Sequence, residues 1–195
     1  MRDILKLGGI LLLVTSIAGG ALSMVNSITK PRILKQKELA LERALTKALP
    51  TADKNAIVCI GQGDEAYYKG FNTPDTITLV GYAFVAKGKG YSSTIETMVG
   101  VDTTGTITGL TVLYQLETPG LGTKIEEIKY GENKPWFLVP FVGRQWNRLE
   151  LGKEDNNIKA ITGATISSRA VTSSIKEGLK SLENRLGGFG KPITE

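Results

Sequence analysis

The first 30 residues form an apolar segment with basic residues at both ends. No charged residue occurs between residues 7 and 28, and about 20 apolar residues are enough to cross a bilayer as a helix. The alternative is a cleaved secretory signal, with Arg2 and Lys6 as its basic region and small residues for cleavage at 18–21. Because the apolar run is longer than a typical signal core, we favour an uncleaved transmembrane anchor over residues 1–30.

Residues 31–50 show the periodicity of a second helix. Proline is favourable at the first position of a helix, so we expect this helix to begin at Pro31. We predict a stalk helix over residues 31–50 that leads to a folded domain over residues 51–195. The apolar residues at helical spacing are Leu34, Leu41, Leu45 and Ala48.

Between residues 56 and 115 the pattern changes to short runs rich in β-branched and aromatic residues, separated by turn signals. One such turn is predicted at residues 87–90. Consecutive strands without intervening helices predict an α+β fold, with a mostly antiparallel sheet and flanking helices. The predicted strands are Ile57–Ile60, Tyr67–Phe71, Ile77–Ala86, Thr94–Val101 and Thr106–Tyr114.

The C-terminal part is predicted to contain a short strand followed by a long helix. Ile158, Ala160 and Thr162 alternate as in a strand. The helix that follows is amphipathic, and the glycine pair at 187–188 is expected to end it. Its apolar face is formed by Val171, Ile175, Gly178, Leu179, Leu182 and Leu186.

The composition excludes several classes of function. The chain has no histidine and one cysteine, so it cannot form a Ser-His-Asp triad, an intramolecular disulfide or a cysteine-ligated cluster. We therefore predict no metal site built from these ligands, and we assign no side chain of this chain as a catalytic acid or base. Since Cys59 lies in the apolar run 56–60, we interpret it as a buried core thiol.

The net charge of +5 is confined to the N-terminal part of the chain. Residues 1–50 contain eight basic and three acidic residues, and the remainder is neutral. Cations that flank an apolar segment attract anionic lipid headgroups. A nucleic-acid-binding protein would carry its basic residues on the folded domain. The distribution predicts a membrane setting and no nucleic-acid partner.

Two glycine-containing segments are candidate phosphate sites. Residues 61–66, Gly-Gln-Gly-Asp-Glu-Ala, match a dinucleotide fingerprint in spacing, but the following residues are a poor helix start, which favours a hairpin turn. Residues 162–168, Thr-Gly-Ala-Thr-Ile-Ser-Ser, lie where a helix is predicted to begin, and helix N-termini bind anions. Simple capping by Thr165 or Ser167 accounts for that segment equally well.

Residues 161–171, Ile-Thr-Gly-Ala-Thr-Ile-Ser-Ser-Arg-Ala-Val, resemble the flavinylation motif of FMN-binding domains in Rnf and Na⁺-translocating NADH:quinone reductase complexes. Residues 117–122, Glu-Thr-Pro-Gly-Leu-Gly, resemble the second signature of that domain, a loop that closes over the flavin. The resemblance covers nearly the whole chain. The compact length is closer to the G subunit of Rnf complexes than to the quinone-reductase C subunit.

The resemblance implies that Thr165 is the acceptor of FMN, joined to its phosphate through a phosphoester by a flavin transferase that uses FAD. It also implies a set of surrounding residues. Thr162, Gly163 and Ala164 would line the phosphate, and Glu117, Thr118, Gly120 and Leu121 would lie near the ring or ribityl chain. Lys159 is a further candidate for the phosphate, because it is close to Thr165 in sequence. Leu116 stands where many relatives have a polar residue or histidine, which leaves the role of that position open.

The implied function is an electron-relay subunit of a membrane-bound, ion-translocating ferredoxin:NAD⁺ oxidoreductase, with membrane and iron–sulfur subunits as partners. The resemblance implies a single-pass protein of the plasma membrane, with its FMN domain on the extracytoplasmic side. The positive-inside rule predicts the opposite orientation, because four cations follow the span and two precede it. We follow the family, since that rule applies best to short loops.

Two alternative functions remain. One is a flavinylated electron-transfer protein or quinone-reductase subunit outside an Rnf complex, and the other is a membrane-tethered binding module without a cofactor. Aromatic residues that could stack on a flavin are more often part of the core in a domain of this size. They are Tyr114, Trp136, Phe137 and Trp146.

Overall fold

The computed structural model describes residues 1–74, 78–152 and 157–190 and consists of two compact units, residues 1–41 and 42–195. The helices are α1 (Arg2–Ala48) and α2 (Thr165–Leu186). Five strands lie between them: β1 (Ile57–Ile60), β2 (Tyr67–Phe71), β3 (Leu79–Lys89), β4 (Thr94–Asp102) and β5 (Ile107–Tyr114).

Helix α1 is continuous over 47 residues, with Pro31 inside it. The prediction that a second helix begins at Pro31 is therefore wrong. Proline removes one backbone hydrogen bond, here the one to the Ser27 carbonyl, but its fixed φ is compatible with a helix. The backbone hydrogen bonds before and after Pro31 keep α1 continuous. Its N-terminal part is long and apolar enough to cross a membrane.

Two threonine hydroxyls in the N-terminal 30 residues of α1 bond within the helix itself. Thr15 donates to the Leu11 carbonyl at 2.9 Å, and Thr29 donates to the Val25 carbonyl. A hydroxyl bonded to the preceding turn needs no partner from its surroundings, which suits a helix in a lipid environment.

The five strands form one antiparallel sheet in the order β1-β2-β3-β4-β5, so every strand pairs with its neighbours in sequence. The predicted antiparallel sheet and the α+β class are confirmed. The bounds of β1 and β2 agree with the prediction, and the predicted start of the third strand at Ile77 lies outside the described residues. The segment 61–66 forms the β1–β2 connection with a short 3-10 turn, Gly63–Glu65.

The predicted turn at residues 87–90 is wrong for its first three residues, because β3 continues to Lys89. Gly88 lies under α2, and a Cβ built on it would collide with the Ala170 carbonyl oxygen. A glycine inside a strand often marks a close backbone approach. Here it allows the first turns of α2 to rest directly on β3.

The main core fills the space between one face of the sheet, α2 and the 3-10 turns that connect β5 to α2. Alternate residues of β4 point into it, as the period of two in a strand requires. Fully buried members include Ile95, Val99, Val101, Phe137, Phe141, Val171, Ile175 and Leu179.

The opposite face of the sheet receives the last turn of α1. Gly100 of β4 pairs with Gly109 of β5, and a Cβ on either would collide with the carbonyl oxygen of Ala48 or Lys47. The Thr108 hydroxyl donates to the Ala48 carbonyl at 2.6 Å. This bond satisfies one of the carbonyls that a helix C-terminus leaves without a partner.

Two further predictions are wrong. Residues 158–162 form no strand; Ile158 makes one isolated parallel bridge with Leu151. Cys59 is exposed, because β1 is the edge strand of the sheet and the core lies elsewhere. The predicted C-terminal helix is confirmed as α2, which ends at Leu186 and is followed by Gly187 with a left-handed φ of 70°.

Candidate functional site

The segment singled out by its sequence forms a tight turn before α2. Thr165 is the first residue of the helix, and Ala164 precedes it as the N-cap residue. The Ala164 N–H donates to the Ile161 carbonyl at 2.9 Å, closing the turn. Gly163 has a φ of +80°, a backbone conformation that favours glycine.

Capping by a side chain, the alternative interpretation of this segment, is wrong. The N-cap residue Ala164 has no side chain that can cap, and neither Thr165 nor Ser167 accepts a bond from the first turn within the described residues. The first helical N–H with a backbone acceptor is that of Ser168, which donates to Ala164 at 3.0 Å. The N–H groups of residues 165–167 therefore remain available to an anion.

The four hydroxyls of this segment fall into two classes. Ser167 is 1% exposed and donates to the Glu117 carboxylate, and Ser168 is 0% exposed and donates to the Ala164 carbonyl at 2.9 Å. Thr162 and Thr165 are exposed. Only the two threonines are accessible to a modifying enzyme and its cofactor.

Glu117 lies at the centre of the contacts that hold this site together. Its side chain is 4% exposed, and its Oε1 accepts backbone N–H bonds from Ser92 and Ser93, both at 3.0 Å. Its Oε2 accepts the N–H of Tyr91 at 3.0 Å and the hydroxyl of Ser167 at 2.5 Å. The carboxylate thus links the β3–β4 turn to the first turn of α2.

Burial alone would raise the pKa of Glu117. The Ser167 hydroxyl and the backbone N–H groups of Tyr91, Ser93 and Ser92 outweigh that effect, and the pKa lies below its ordinary value. The Glu117 side chain is consequently an anion at neutral pH, stabilised by hydrogen-bond donors.

The loop after Glu117 lies against the turn before α2. Leu121 is 43% exposed, and its Cδ2 is 3.1 Å from where a Cβ on Gly163 would lie. Gly120 has a φ of +74° and donates its N–H to the Thr123 hydroxyl at 3.0 Å. Thr118 and Gly120 are exposed. The structure therefore brings the two sequence motifs together at the N-terminus of α2.

Lys159 is exposed in the segment that leads into the turn.

The four candidate aromatic residues differ in their burial and in their distance from the site. Phe137 is in the core, and Trp136 packs against the core with its indole N–H bonded to Glu127 at 2.8 Å. Trp146 bonds Glu183, which lies about 27 Å along α2 from Thr165 at about 1.5 Å per residue.

Of the four aromatics, Tyr114 at the end of β5 is 47% exposed and lies three residues before Glu117.

The turn formed by Tyr91, Ser92 and Ser93 was not predicted from the sequence as part of the site. Its contribution is made by backbone N–H groups, for which the side-chain sequence carries little signal. The sequence feature that could have indicated this turn is Gly90, because a Cβ at that position would collide with the Glu117 carboxylate.

The residues at this site fit the phosphate of a flavin nucleotide. The exposed hydroxyl of Thr165 lies beside helix N–H groups that have no acceptor among the described residues. Gly163 has no side chain, so the space next to Leu121 that a Cβ would occupy is open. Helix N-termini of this kind favour phosphate groups.

Comparison with known proteins gives an independent assignment. Residues 90–180 match the FMN-binding domain family, and residues 1–47 match the RnfG N-terminal region. The G subunit of the Na⁺-translocating ferredoxin:NAD⁺ oxidoreductase complex of Acetobacterium woodii is 29% identical, over 94% of this chain and 93% of its own length.

The G subunit of the proton-translocating ferredoxin:NAD⁺ oxidoreductase complex of Clostridium ljungdahlii is 31% identical over 88% of both chains. The crystal structure of the C subunit of Na⁺-translocating NADH-quinone reductase from Parabacteroides distasonis has the same fold, with a TM-score of 0.55 and 18% identity over 76% of this chain and 92% of that one. The chain therefore belongs to the family of Rnf complex G subunits and contains an FMN-binding domain.

Proposed function

We propose that this chain is an electron-relay subunit of an ion-translocating ferredoxin:NAD⁺ oxidoreductase and carries FMN covalently on Thr165. The observation that carries the proposal is the exposed hydroxyl of Thr165 at a helix N-terminus without a side-chain cap. The relatives of this chain are named for that oxidoreductase, which supports the assignment. One of them is named for Na⁺ and the other for protons, so the proposal does not choose an ion.

Attachment requires a flavin transferase and FAD. The Thr165 oxygen forms a bond to the phosphorus of the FMN half, the pyrophosphate bond of FAD breaks and AMP leaves. The hydroxyl proton is lost to a base or to solvent. Because the buried hydroxyls of Ser167 and Ser168 donate to other groups, the geometry favours Thr165 over both.

The bound flavin would supply the redox chemistry, while the protein supplies position and electrostatics. The N–H groups of residues 165–167 would face the phosphate. Thr162, Gly163 and Ala164 would line it, with Lys159 at the edge. Thr118, Gly120 and Leu121 would flank the ring or the ribityl chain.

The experiment that tests the proposal is fluorescence of the denatured protein on a gel. Protein produced together with a flavin transferase is expected to keep flavin fluorescence after denaturation, since a phosphoester survives it. Protein produced without the transferase serves as the control. A non-fluorescent band under both conditions would instead support the cofactor-free binding module.

The membrane arrangement is part of the same proposal. Residues 1–30 would cross the plasma membrane, residues 31–50 would form a stalk in which the same helix continues to Ala48, and residues 51–195 would form the FMN domain on the extracytoplasmic side. The other Rnf-type subunits, membrane and iron–sulfur proteins, would be its partners. The covalent link would keep the cofactor in a compartment where free flavin is scarce.

The exposed Cys59 offers a direct test of the side of the membrane, because it is the chain's one cysteine. A membrane-impermeant maleimide is expected to label Cys59 in spheroplasts before lysis. The Cys59→Ser variant is the control and should remain unlabelled. Labelling only after lysis would place the domain in the cytoplasm and support the positive-inside rule.

A further inference from the structure

We infer that Glu117 is a positioning residue that fixes the first turn of α2 for flavin attachment and does not itself contact the flavin. The inference rests on the proposed function, because it assigns a role in presenting Thr165. It departs from the expectation that Glu117 lies against the ring or the ribityl chain.

The first argument is the convergence of three chain segments on one carboxylate. The β3–β4 turn provides three backbone N–H donors, from residues 91–93, and the Ser93 hydroxyl adds a weaker contact at 3.4 Å. Helix α2 provides the Ser167 hydroxyl. Glu117 itself belongs to the loop that carries Leu121. Hydrogen bonds to an ionised group are stronger than neutral ones, so the carboxylate ties these segments together.

The second argument is that the carboxylate is enclosed. A Cβ on Gly90 would lie 2.5 Å from Glu117 Oε1, and a Cβ on Gly122 would lie 2.6 Å from the Glu117 Cβ and 2.8 Å from the Ser167 hydroxyl. Both glycines are therefore in close contact with this network. A side chain that is 4% exposed and bonded through both oxygens has little capacity for a ligand.

The third argument concerns what Ser167 would do without Glu117. Ser167 is the third residue of α2, two positions after Thr165. Its hydroxyl now donates its hydrogen to the carboxylate. Freed from that bond, it could turn to nearby backbone groups, as serine side chains do when they compete with secondary structure. The first turn of α2 would then lose its fixed orientation relative to the β3–β4 turn.

The test compares Glu117→Gln with Glu177→Gln in the full chain. Glutamine keeps the size of the side chain but loses the charge and presents an NH₂ group to N–H donors. Glu177 is exposed on the same helix, about 18 Å from Thr165 along its axis. We expect covalent flavin per folded protein, after a fixed period with the transferase, to fall about tenfold in Glu117→Gln. Glu177→Gln should match the wild type.

Ser167→Ala is the second variant. It removes only the hydroxyl that donates to Glu117, so it is less disruptive to folding than a change of the buried carboxylate. Flavin attachment should decrease in this variant too. The effect of Glu117→Gln and Ser167→Ala together should be smaller than the product of the two single effects, since both break the same contact. Full attachment in Ser167→Ala would overturn the inference.

Hydrogen exchange provides a readout that does not depend on the flavin. In the Thr165→Val background, the hydrogen-bonded backbone amides of residues 168 and 169 should exchange about tenfold faster when Glu117→Gln is added. Adding Glu177→Gln should leave their exchange unchanged. Equal exchange and equal attachment in the two variants would overturn the role of Glu117. Absence of covalent flavin from the wild type would overturn the proposed function alone, because the exchange experiment would still test Glu117.

Discussion

Replacing Thr165 by valine is expected to abolish covalent flavin while the domain keeps its fold. Valine has nearly the shape of threonine but lacks the hydroxyl that would form the phosphoester. The Thr165 side chain is exposed and has no hydrogen-bond partner among the described residues, so its loss should cost little stability. In-gel fluorescence of the denatured protein measures the first effect, and thermal unfolding measures the second.

Thr162→Val is the matched control, because Thr162 is the other exposed hydroxyl of the segment. This variant should retain covalent flavin. If fluorescence persists in Thr165→Val and disappears in Thr162→Val, the acceptor is Thr162 and the assignment of Thr165 is wrong. Persistence in both variants would direct attention to the buried serines, which would then have to leave their present hydrogen bonds.

Replacing Gly88 by valine is expected to destabilise the domain. The Cβ alone would collide with the Ala170 carbonyl oxygen and lie 2.8 Å from the carbonyl carbon, so backbone rather than a flexible side chain must move. Overpacking of this kind costs roughly 3 kcal/mol. For a domain of this size, that corresponds to a melting temperature lower by about 6–12 °C.

The control for Gly88→Val is Lys89→Ala, which changes an exposed side chain at the next position of β3. Thermal unfolding of the full chain in detergent should show a shift within about 0.5 kcal/mol of zero for this control. Because the first turns of α2 rest on Gly88, the valine variant should also accept less flavin. Equal melting temperatures for the two variants would show that α2 does not depend on this contact.

The sheet could be predicted well from the sequence because its strands are consecutive and separated by clear turn signals. Residues 87–90 show where that reasoning fails. The run Lys-Gly-Lys-Gly has the composition of a turn, yet Gly88 serves the approach of a helix that lies about 80 residues further along the chain. Local pattern contains no information about such a contact.

Pro31 and Cys59 show the same limit in other ways. A proline at the start of a periodic segment predicts a helix start, but the preceding residues are also strongly helical, and α1 runs through it. An apolar run around a cysteine predicts burial, but burial depends on the place of the strand in the sheet. Strand β1 is at the edge, and Cys59 is exposed.

The candidate site was predicted in part. The resemblance of two motifs predicts one site, and the structure brings these motifs together at the N-terminus of α2. Thr165 as the acceptor stays a prediction. The connection through Glu117 could not be predicted, because its partners lie 24 to 26 residues before it and 50 residues after it. Three of those partners are backbone groups, which no residue pattern identifies.

Peptide mapping of the denatured protein tests the central claim most directly. Trypsin cleaves after Lys159 and Arg169 and releases residues 160–169, which contain all four candidate hydroxyls. Protein produced with a flavin transferase should yield this peptide with the added mass of FMN less one water, and fragmentation should locate the group on Thr165. An unmodified peptide, or a flavin on Thr162, Ser167 or Ser168, would contradict the account.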